Sequence, residues 1–257
     1  MASKEITISK TTVRRLASDI RQLIKSPLDS HGIYYEHSDN NLLLGRALII
    51  GAKDTPYEGG YYFFQFDFPA SYPHSPPKVT FMTNGLDNIR IHPNLYKNGK
   101  TCLSVLNTWY GKKVGDQWSG CQTISSILLT LSSILTQNPI LHEPGISKSH
   151  EDFETYTTIV EYINIKLGMI EILTKQIIKT DFKELYSIAC DDLNKNKVIK
   201  YNILEKLKKK FINTYGSLDI KNVATNIYRN DCLIDYKKLT NLLDDAINDN
   251  KIELKNK

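Results

Sequence analysis

Three β-prone segments follow one another along the chain with no helical pattern between them, and this order constrains the fold more than any other feature. The segments cover residues 42–50, 61–68 and 78–81, and the middle one begins with a strongly β-prone aromatic run. Consecutive strands joined by short turns predict an antiparallel meander. Glycines and prolines of the kind that mark such turns bound the segments, at Gly51, Pro56, Gly59, Gly60, Pro69 and Pro73.

Helices are predicted on both sides of the meander. An amphipathic helix is predicted over residues 10–25, where apolar residues recur at helical spacing and Pro27 ends the run. A mostly apolar helix is predicted over residues 122–136, and Pro139 stops it. Residues 84–117 are rich in Asn, Gly, Pro and Lys and predict a long irregular segment, which in a compact domain is usually functional.

The composition changes after Gly145, where prolines stop and helical spacing of apolar residues takes over. The sequence therefore predicts an α+β domain over residues 1–165, followed by an all-helical C-terminal extension over residues 166–257. This extension could recruit a partner or pack back on the first domain. Helices are predicted over residues 153–177 and near residues 182–193, 198–214, 219–229 and 235–248.

The formal net charge of +5 does not identify a nucleic-acid partner, because no block of the chain is strongly basic. The first residues contain no apolar signal segment, and no apolar run approaches the roughly 18 residues of a membrane span. We therefore expect a soluble intracellular protein, cytoplasmic or nuclear, that binds neither nucleic acid nor membrane.

The four cysteines lie too far apart in sequence for the paired CxxC spacing of a zinc site. They are Cys102, Cys121, Cys190 and Cys232. Their spacing gives no small disulfide framework, so free thiols are predicted in a reducing compartment. The sequence also lacks a phosphate-binding glycine loop. We therefore predict neither a metal nor a cofactor.

The segment from His92 to Ser104 contains the residue on which the functional prediction depends. Its cysteine, Cys102, lies in irregular polar sequence, whereas buried structural cysteines usually lie within strands or helices. An exposed cysteine in a loop is a candidate nucleophile. The neighbouring Lys97 and Lys100 would favour its thiolate.

This segment is similar to the active-site signature of ubiquitin-conjugating enzymes, in which His-Pro-Asn is followed by a glycine and then by Cys-Leu. Here these positions hold His92-Pro93-Asn94, Gly99 and Cys102-Leu103. The resemblance covers roughly residues 10–165. It implies a core with an N-terminal helix, a four-stranded antiparallel meander and helices after the active site. Further elements of the family occur in the same order, namely Tyr57-Glu58-Gly59-Gly60, Phe68-Pro69, Tyr72-Pro73, Pro76-Pro77-Lys78-Val79, Trp118-Ser119 and Asn138-Pro139.

The resemblance implies that Cys102 accepts ubiquitin, or a ubiquitin-like modifier, from an activating enzyme and yields it to a lysine of a protein substrate, with a ligase as a further partner. Asn94 would hydrogen-bond the oxyanion formed during lysine attack, or hold the neighbouring loop in shape. His92 would fix the loop through hydrogen bonds, with proton transfer as the alternative. The activating enzyme would consume the ATP, so no cofactor is implied for this chain.

Three further residues are candidates for preparing the incoming lysine. Tyr96 matches a tyrosine that lines the lysine approach in SUMO-conjugating members, where desolvation lowers the pKa of the amine. The alternative is a surface aromatic residue packed on the loop. Many relatives have an acidic residue shortly after the position of Pro139, and here His142 or Glu143 could polarise the lysine.

Residues 107–117 form a longer segment than in minimal members of the family. The segment includes Trp109-Tyr110-Gly111-Lys112-Lys113. Larger members have insertions here that influence the choice of substrate or chain. This basic and aromatic version could bind an acidic partner surface, or it could be a solvated loop with Trp109 tucked underneath.

The resemblance also places a docking surface for a ligase or activating enzyme on the first helix and two loops. The matching positions are Arg14, Arg15, His74, Gly120 and Cys121. Many relatives have an aromatic or aliphatic anchor at the position of His74 and a proline at the position of Gly120. Because of these two differences, the docking surface is expected to be retained, but the partner that it binds is left open.

Two other functions compete with conjugation. The first is a binding module that positions ubiquitin without carrying it, but such variants typically lack the cysteine. The second is a cysteine hydrolase, which needs a base near the thiol. His92 and His142 are the candidates for that base, although neither lies in a recognisable hydrolase motif.

Overall fold

A computed structural model describes residues 8–84, 89–109 and 117–255 of the chain. The order of elements is one helix, a four-stranded sheet, and then helices interrupted by a two-stranded hairpin. The helices are α1 (Lys10–Lys25), α2 (Ile124–Ile134), α3 (Phe153–Ile163), α4 (Ile172–Thr174), α5 (Gln176–Asp181), α6 (Lys183–Lys195), α7 (Lys197–Tyr215) and α8 (Tyr236–Lys255). The strands are β1 (Ile33–His37), β2 (Leu44–Ile50), β3 (Tyr61–Asp67), β4 (Lys78–Phe81), β5 (Lys221–Ala224) and β6 (Asp231–Ile234). None of the described helices is long and apolar enough to cross a membrane.

The predicted meander is confirmed. The sheet has the order β1-β2-β3-β4, and each neighbouring pair is antiparallel. Its first strand, β1, was missed, because its five residues, Ile33-Tyr34-Tyr35 followed by Glu36-His37, show no alternation of apolar and polar side chains. The helix predicted over residues 10–25 is α1, and Ser9 caps it by accepting a hydrogen bond from the Thr12 backbone N–H.

Strand β3 is buried on both faces, which explains its unbroken aromatic run. Side chains of a strand alternate between the two faces of the sheet. Tyr61 and Phe63 share one face with the C-terminal extension, where the Tyr61 hydroxyl donates to Asp192 at 2.8 Å and the Phe63 ring centroid lies 5.6 Å from that of Phe182. Phe64 faces the other side, and its ring centroid lies 5.4 Å from that of Phe81. The extension therefore packs back on the sheet.

The predicted helix over residues 219–229 is wrong, and the extension is consequently not all-helical. Strands β5 and β6 form an antiparallel hairpin in this part of the chain. Buried side chains in the hairpin alternate with exposed ones, as in Cys232 and Ile234 on either side of Leu233. That spacing of two is typical of a strand with one buried face. The other predicted helices of the extension correspond to α6, α7 and α8.

The helical run predicted over residues 153–177 begins as α3 and continues through a π-helical segment, Asn164–Glu171, into α4. The predicted boundary between residues 165 and 166 therefore lies within a continuous helical path. At this point the helix contacts the sheet closely, because Asn164 accepts from the Tyr62 hydroxyl at 2.5 Å and donates to the Glu58 carbonyl at 2.9 Å. A division into two domains stays a prediction.

A buried cation joins the extension to the turn before β3. Lys200 of α7 is 2% exposed, and its Nζ donates to Asp192 Oδ2 and to the Gly59 carbonyl, both at 2.8 Å. Burial lowers the pKa of Lys200. Burial acts to raise the pKa of Asp192, but the neighbouring Lys200 charge outweighs this and the pKa is lowered overall. The pair is therefore ionised at neutral pH, and each charge depends on the other.

Replacing Lys200 by Met should lower the free energy of unfolding by about 3 kcal/mol, because the Asp192 carboxylate stays behind without its cation. Urea denaturation measures this change. Lys206→Met is the matched control on the same helix, since Lys206 is 68% exposed and lies 3.9 Å from the exposed Asp54 carboxylate. It should cost less than about 1 kcal/mol. Equal losses in both variants would contradict the prediction.

Candidate active site

The segment that contains Cys102 doubles back on itself and brings Asn94 opposite the cysteine. An isolated antiparallel bridge joins Leu95 to Thr101, and the Cys102 backbone N–H donates to the Asn94 carbonyl at 2.8 Å. The reversal occurs at Gly99, which has φ +84°, and a Cβ there would lie 2.9 Å from the Phe81 carbonyl oxygen. Glycine is therefore required at this turn.

Asn94 holds the loop in shape in this structure. Its side-chain Nδ2 donates to the Cys102 carbonyl at 2.6 Å, beside the backbone bond between the same two residues. His92 fixes Asn94 in turn, because its Nδ1 accepts from the Asn94 backbone N–H at 3.0 Å. Burial, together with the neighbouring His142, holds the pKa of His92 well below its usual range. His92 is therefore neutral at pH 7 and acts as a hydrogen-bond acceptor.

Cys102 is buried, at 3% exposure, which corrects the expectation of an exposed thiol. The chain after it forms a short 3₁₀ turn, Ser104–Leu106, and Asn107 follows in the left-handed region with φ 54°. This turn returns the Thr108 carbonyl to the cysteine, where it accepts from Sγ at 2.7 Å. We call Thr108 in this position the thiol cap.

Side-chain bonds hold the thiol cap in place. Thr108 Oγ1 accepts from the Leu103 backbone N–H and donates to the Thr101 carbonyl, both at 2.9 Å. Asn107 Oδ1 accepts from the Trp118 backbone N–H at 2.9 Å, which anchors the far end of the segment. The thiol is therefore covered in this structure, and access to it requires that the cap move.

Tyr96 stacks on an arginine. The Arg90 guanidinium carbon lies 3.8 Å from the Tyr96 ring centroid on one side and 4.2 Å from that of Tyr228 on the other. Arg90 also donates to the Pro93 carbonyl, next to Asn94. Tyr96 is therefore part of an aromatic–cation–aromatic stack that includes a residue of the C-terminal extension.

His142 and Glu143 lie on the same turn but have different environments. The His142 ring centroid lies 5.0 Å from that of His92, and its Nε2 is 3.3 Å from Thr136 Oγ1. Burial lowers the pKa of His142. Glu143 instead accepts a hydrogen bond from the Tyr228 hydroxyl through Oε2. Of these two candidates for polarising a lysine, only Glu143 contacts the stack that contains Tyr96.

The lysines expected to favour the thiolate have other partners. Lys97 Nζ donates to the Tyr228 carbonyl at 3.1 Å, and Lys100 Nζ lies 5.6 Å from the Tyr96 ring centroid. Burial, and secondarily Arg90, lowers the pKa of Lys97. Both cations therefore belong to the surroundings of Tyr96.

The residues predicted for docking form one surface. Arg15 of α1 donates to the carbonyls of Gly120 and Gln122, and Trp118 Nε1 donates to the Pro73 carbonyl at 2.8 Å. These bonds join the first helix to both loops. Arg15 also forms an ion pair with Asp19, with Nε 2.9 Å from Oδ1. The exposed members of this surface are Arg14, His74, Gly120 and Cys121.

Other sequence predictions concern the insertion, the thiols and metals. Trp109 is partly buried, whereas Tyr110, Gly111, Lys112 and Lys113 lie outside the described residues. None of the four cysteines, all of which lie within the described residues, forms a disulfide, and Cys190 and Cys232 are buried like Cys102. Across residues 8–84, 89–109 and 117–249, no group of three or more His, Cys, Asp or Glu side chains is arranged to hold a metal ion.

Sequence reasoning missed Arg90, Thr108 and Tyr228. Thr108 lies six residues after Cys102, and a threonine at that distance has no recognisable signature. Arg90 is an isolated cation before the recognised motif. Tyr228 lies 131 residues from Lys97, which it contacts, and the segment around it was predicted as helix. Only the correct hairpin assignment, together with tertiary packing, could have identified it.

Comparisons with known proteins agree on one family. The family model for ubiquitin-conjugating enzymes matches residues 15–162. Ubiquitin-conjugating enzyme E2 Z of Xenopus tropicalis is 34% identical over 72% of this chain and 61% of its own length. The human E2 Z is 34% identical over 69% of this chain and 52% of its own length. The chain thus spans little more than half the length of these relatives.

Among solved structures, that of human ubiquitin-conjugating enzyme E2 G1 is 32% identical and covers 50% of this chain and 98% of its own, with a TM-score of 0.42.

Replacing Thr108 by Ala should release the thiol cap and speed alkylation of Cys102 by iodoacetamide about tenfold, since each lost hydrogen bond contributes roughly 1 kcal/mol to closure. Mass spectrometry of the modified cysteines measures the rate, and the exposed Cys121 provides an internal reference. Thr158→Ala is the matched control, because Thr158 is half-buried on α3 and its hydroxyl donates to the Glu154 carbonyl of the same helix at 3.0 Å, far from the Cys102 loop in sequence. Unchanged alkylation of Cys102 in the Thr108 variant would contradict the capping role.

Proposed function

The chain belongs to the ubiquitin-conjugating enzyme family, and we propose that it carries ubiquitin, or a related modifier, as a thioester on Sγ of Cys102. The observation that supports this most is the loop geometry. Cys102 and Asn94 are joined by a backbone bond at 2.8 Å and a side-chain bond at 2.6 Å, at the turn expected for the family signature. This pairing gives the nucleophile a fixed place next to an amide donor.

The reaction has two acyl transfers on Cys102. In the first, the Cys102 thiolate attacks the thioester carbonyl of the charged activating enzyme, a new C–Sγ bond forms, and the activating enzyme's thiolate leaves. In the second, the neutral amine of a substrate lysine attacks the carbonyl carbon on Cys102. The C–N bond forms, the C–Sγ bond breaks, and the proton lost by the amine passes to Sγ or to solvent. No oxidant, metal or further cofactor is needed for this balance.

Asn94 has the chemistry to serve both parts of its proposed role. Its Nδ2 donor lies against the Cys102 carbonyl, next to the position of a thioester on the same residue. An amide donor aimed at a developing oxyanion lowers the barrier. His92 would act as a positioning residue, since its Nδ1 is occupied by the Asn94 backbone N–H.

Tyr96 and Glu143 would prepare the lysine. Glu143 supplies a carboxylate that can accept a hydrogen bond from the amine, and Tyr96 supplies an aromatic surface along which the amine loses water. His142 is the weaker candidate for this role, because its lowered pKa keeps it neutral and its ring packs on His92.

The partners follow from the same proposal. An activating enzyme would deliver the modifier, a ligase would bind the surface of Arg14, Arg15, His74, Gly120 and Cys121, and the acceptors would be lysines of protein substrates. Residues 1–165 would form the catalytic core. Residues 166–257 would stabilise it, as the packing of Phe182 against Phe63 supports.

A cysteine hydrolase fits this site poorly. A hydrolase needs an imidazole within hydrogen-bond reach of the thiol. The Cys102 thiol instead donates to the Thr108 carbonyl, while His92 is bonded to Asn94 and His142 lies near Thr136. A ubiquitin-binding module without catalysis would have no use for a cysteine held in this loop.

Incubation with an activating enzyme, ubiquitin and ATP should give a species heavier by one ubiquitin on a non-reducing gel, and a thiol reductant should remove it. Cys102→Ser should replace it with an oxyester that resists the reductant. Cys190→Ser is the matched control and should charge normally, because Cys190 is a buried cysteine of α6, away from both the Cys102 loop and the docking surface. The absence of any adduct with ubiquitin and related modifiers, or its persistence in Cys102→Ala, would overturn the proposal.

Replacing Asn94 by Ala should slow transfer from Cys102 to lysine about 100-fold, because one donor to the oxyanion is lost. Single-turnover discharge of the preformed thioester measures this step, and charging is followed separately. Asn98→Ala is the control, since Asn98 is exposed on the same loop and bonds only the Lys100 backbone N–H. An equal loss in charging and in transfer would assign Asn94 to loop shape alone.

A further inference from the structure

The turn of the β5–β6 hairpin, residues 225–230, contacts the segment that precedes residues 92–104, which we call the active-site loop. Asn230 is fully buried, and its Oδ1 accepts from the Arg90 backbone N–H at 2.9 Å while its Nδ2 donates to the Arg90 carbonyl at 3.1 Å. The Ile227 backbone N–H donates to Asp152 Oδ2 at 2.8 Å. The hairpin turn is therefore fixed to Arg90 and to the start of α3.

The backbone of this turn is strained at two residues. Tyr228 has φ 58° and Arg229 has φ 49°, in the left-handed region that side chains other than glycine rarely adopt. Such residues persist where the surroundings impose the conformation, and they cluster at functional sites. The bonds of Asn230 and Ile227 impose it here. Their effect is to direct the Tyr228 side chain toward the active-site loop.

Tyr228 contacts Glu143 directly and Tyr96 through Arg90, and these are the two groups that flank the proposed approach of the lysine. Its ring stacks on Arg90 at 4.2 Å, and Arg90 stacks on Tyr96 at 3.8 Å. Its hydroxyl donates to Glu143 Oε2, and its carbonyl accepts from Lys97 Nζ at 3.1 Å. Tyr96 and Glu143 lie on different loops, so this single side chain sets their relative position.

We propose that Tyr228 is a positioning residue for the transfer of the modifier to lysine, supplied to the active site by the C-terminal extension. This inference rests on the proposed function of Cys102. The Tyr228 hydroxyl orients the Glu143 carboxylate by occupying Oε2, which leaves Oε1 to accept from the incoming amine. The Tyr228 ring fixes Arg90, and through it Tyr96, on the other side of the approach.

The charges around Tyr228 suit this role. Burial, followed by the hydrogen bond to Glu143, raises the pKa of Tyr228 well above its usual range, so the hydroxyl stays a donor at any working pH. Arg90 and Lys97 are cations near an entering ammonium group. Arg90 is held between two aromatic rings and Lys97 against the Tyr228 carbonyl, which keeps both from pairing with Glu143.

The test compares wild type with Tyr228→Phe, which retains the ring and removes only the hydroxyl. Each full-length protein is charged with ubiquitin, purified from the activating enzyme, and discharged either to free lysine or to hydroxylamine. Hydroxylamine is largely unprotonated at neutral pH and needs no polarising carboxylate. We expect charging and hydroxylamine discharge to stay within about twofold of wild type, while lysine discharge falls about tenfold, the effect of weakening one hydrogen bond to a charged group.

Two further readouts separate positioning from a general loss of structure. The difference in lysine discharge rate between wild type and Tyr228→Phe should become smaller as the pH approaches the pKa of the lysine amine, about 10.4, because a deprotonated amine no longer needs Glu143. Glu143→Gln should be as slow as Tyr228→Phe, and the double variant no slower than either, since the two residues act as a unit. Tyr201→Phe is the matched control, because Tyr201 donates to the Asp244 carboxylate between α7 and α8, within the same extension. It should discharge like wild type.

Four results of this experiment would overturn one or both proposals. A wild-type chain that never charges overturns the proposed function and this inference with it. A wild-type chain that charges but does not transfer to lysine overturns the inference and the second acyl transfer, and leaves the thioester on Cys102 standing. A Tyr228→Phe variant that transfers to lysine at the wild-type rate, or one that loses lysine and hydroxylamine discharge equally, overturns the inference alone.

Discussion

The burial of β3 on both faces is the constraint on which the rest of the structure depends. Tyr61, Tyr62, Phe63 and Phe64 are at most 1% exposed, and an antiparallel sheet with one solvated face cannot bury all four. The helices of the core cover one face. The second face requires the extension, which contributes Phe182 to the apolar contact and the Asp192–Lys200 pair to the polar one. The extension is therefore part of the core's packing.

The packing of the extension on the sheet also determines where the β5–β6 hairpin lies. Helix α6 lies against β1 of the sheet, and α7 packs on α6 and places Lys200 over the Tyr61 ring. The chain then turns through β5 and β6 before α8 returns to pack on the π-helical segment. The hairpin turn is thereby placed against Arg90, which lies just before the active-site loop. The hairpin turn therefore has a fixed position relative to the sheet, because close-packed interiors deform little.

The sequence predicted the parts of the fold that depend on local spacing. The meander and the long helices followed from periodicity and from turn residues, and the active-site loop followed from its motif. Strand β1 was missed because its apolar and polar residues do not alternate, and the hairpin was missed because two four-residue strands give a weak signal. Cys102 was expected to be exposed, yet the Thr108 carbonyl closes over it through a turn that depends on the left-handed Asn107. Contacts such as Arg90 with Tyr228 join distant segments, and no local pattern contains them.

The two acyl transfers proposed for Cys102 have different physical requirements, and the structure has a different feature suited to each. Charging needs a thiol that a large incoming thioester can reach, and a cap held by the hydrogen bonds of one threonine can open at small cost. Lysine transfer needs the amine, the carboxylate and the carbonyl carbon in a fixed arrangement, since proximity lowers a barrier only when the geometry is maintained. The hairpin meets that need with buried bonds from Asn230 and a strained turn at Tyr228. The weakly held thiol cap can thus move away from Cys102 while the firmly held hairpin keeps Tyr96 and Glu143 in place.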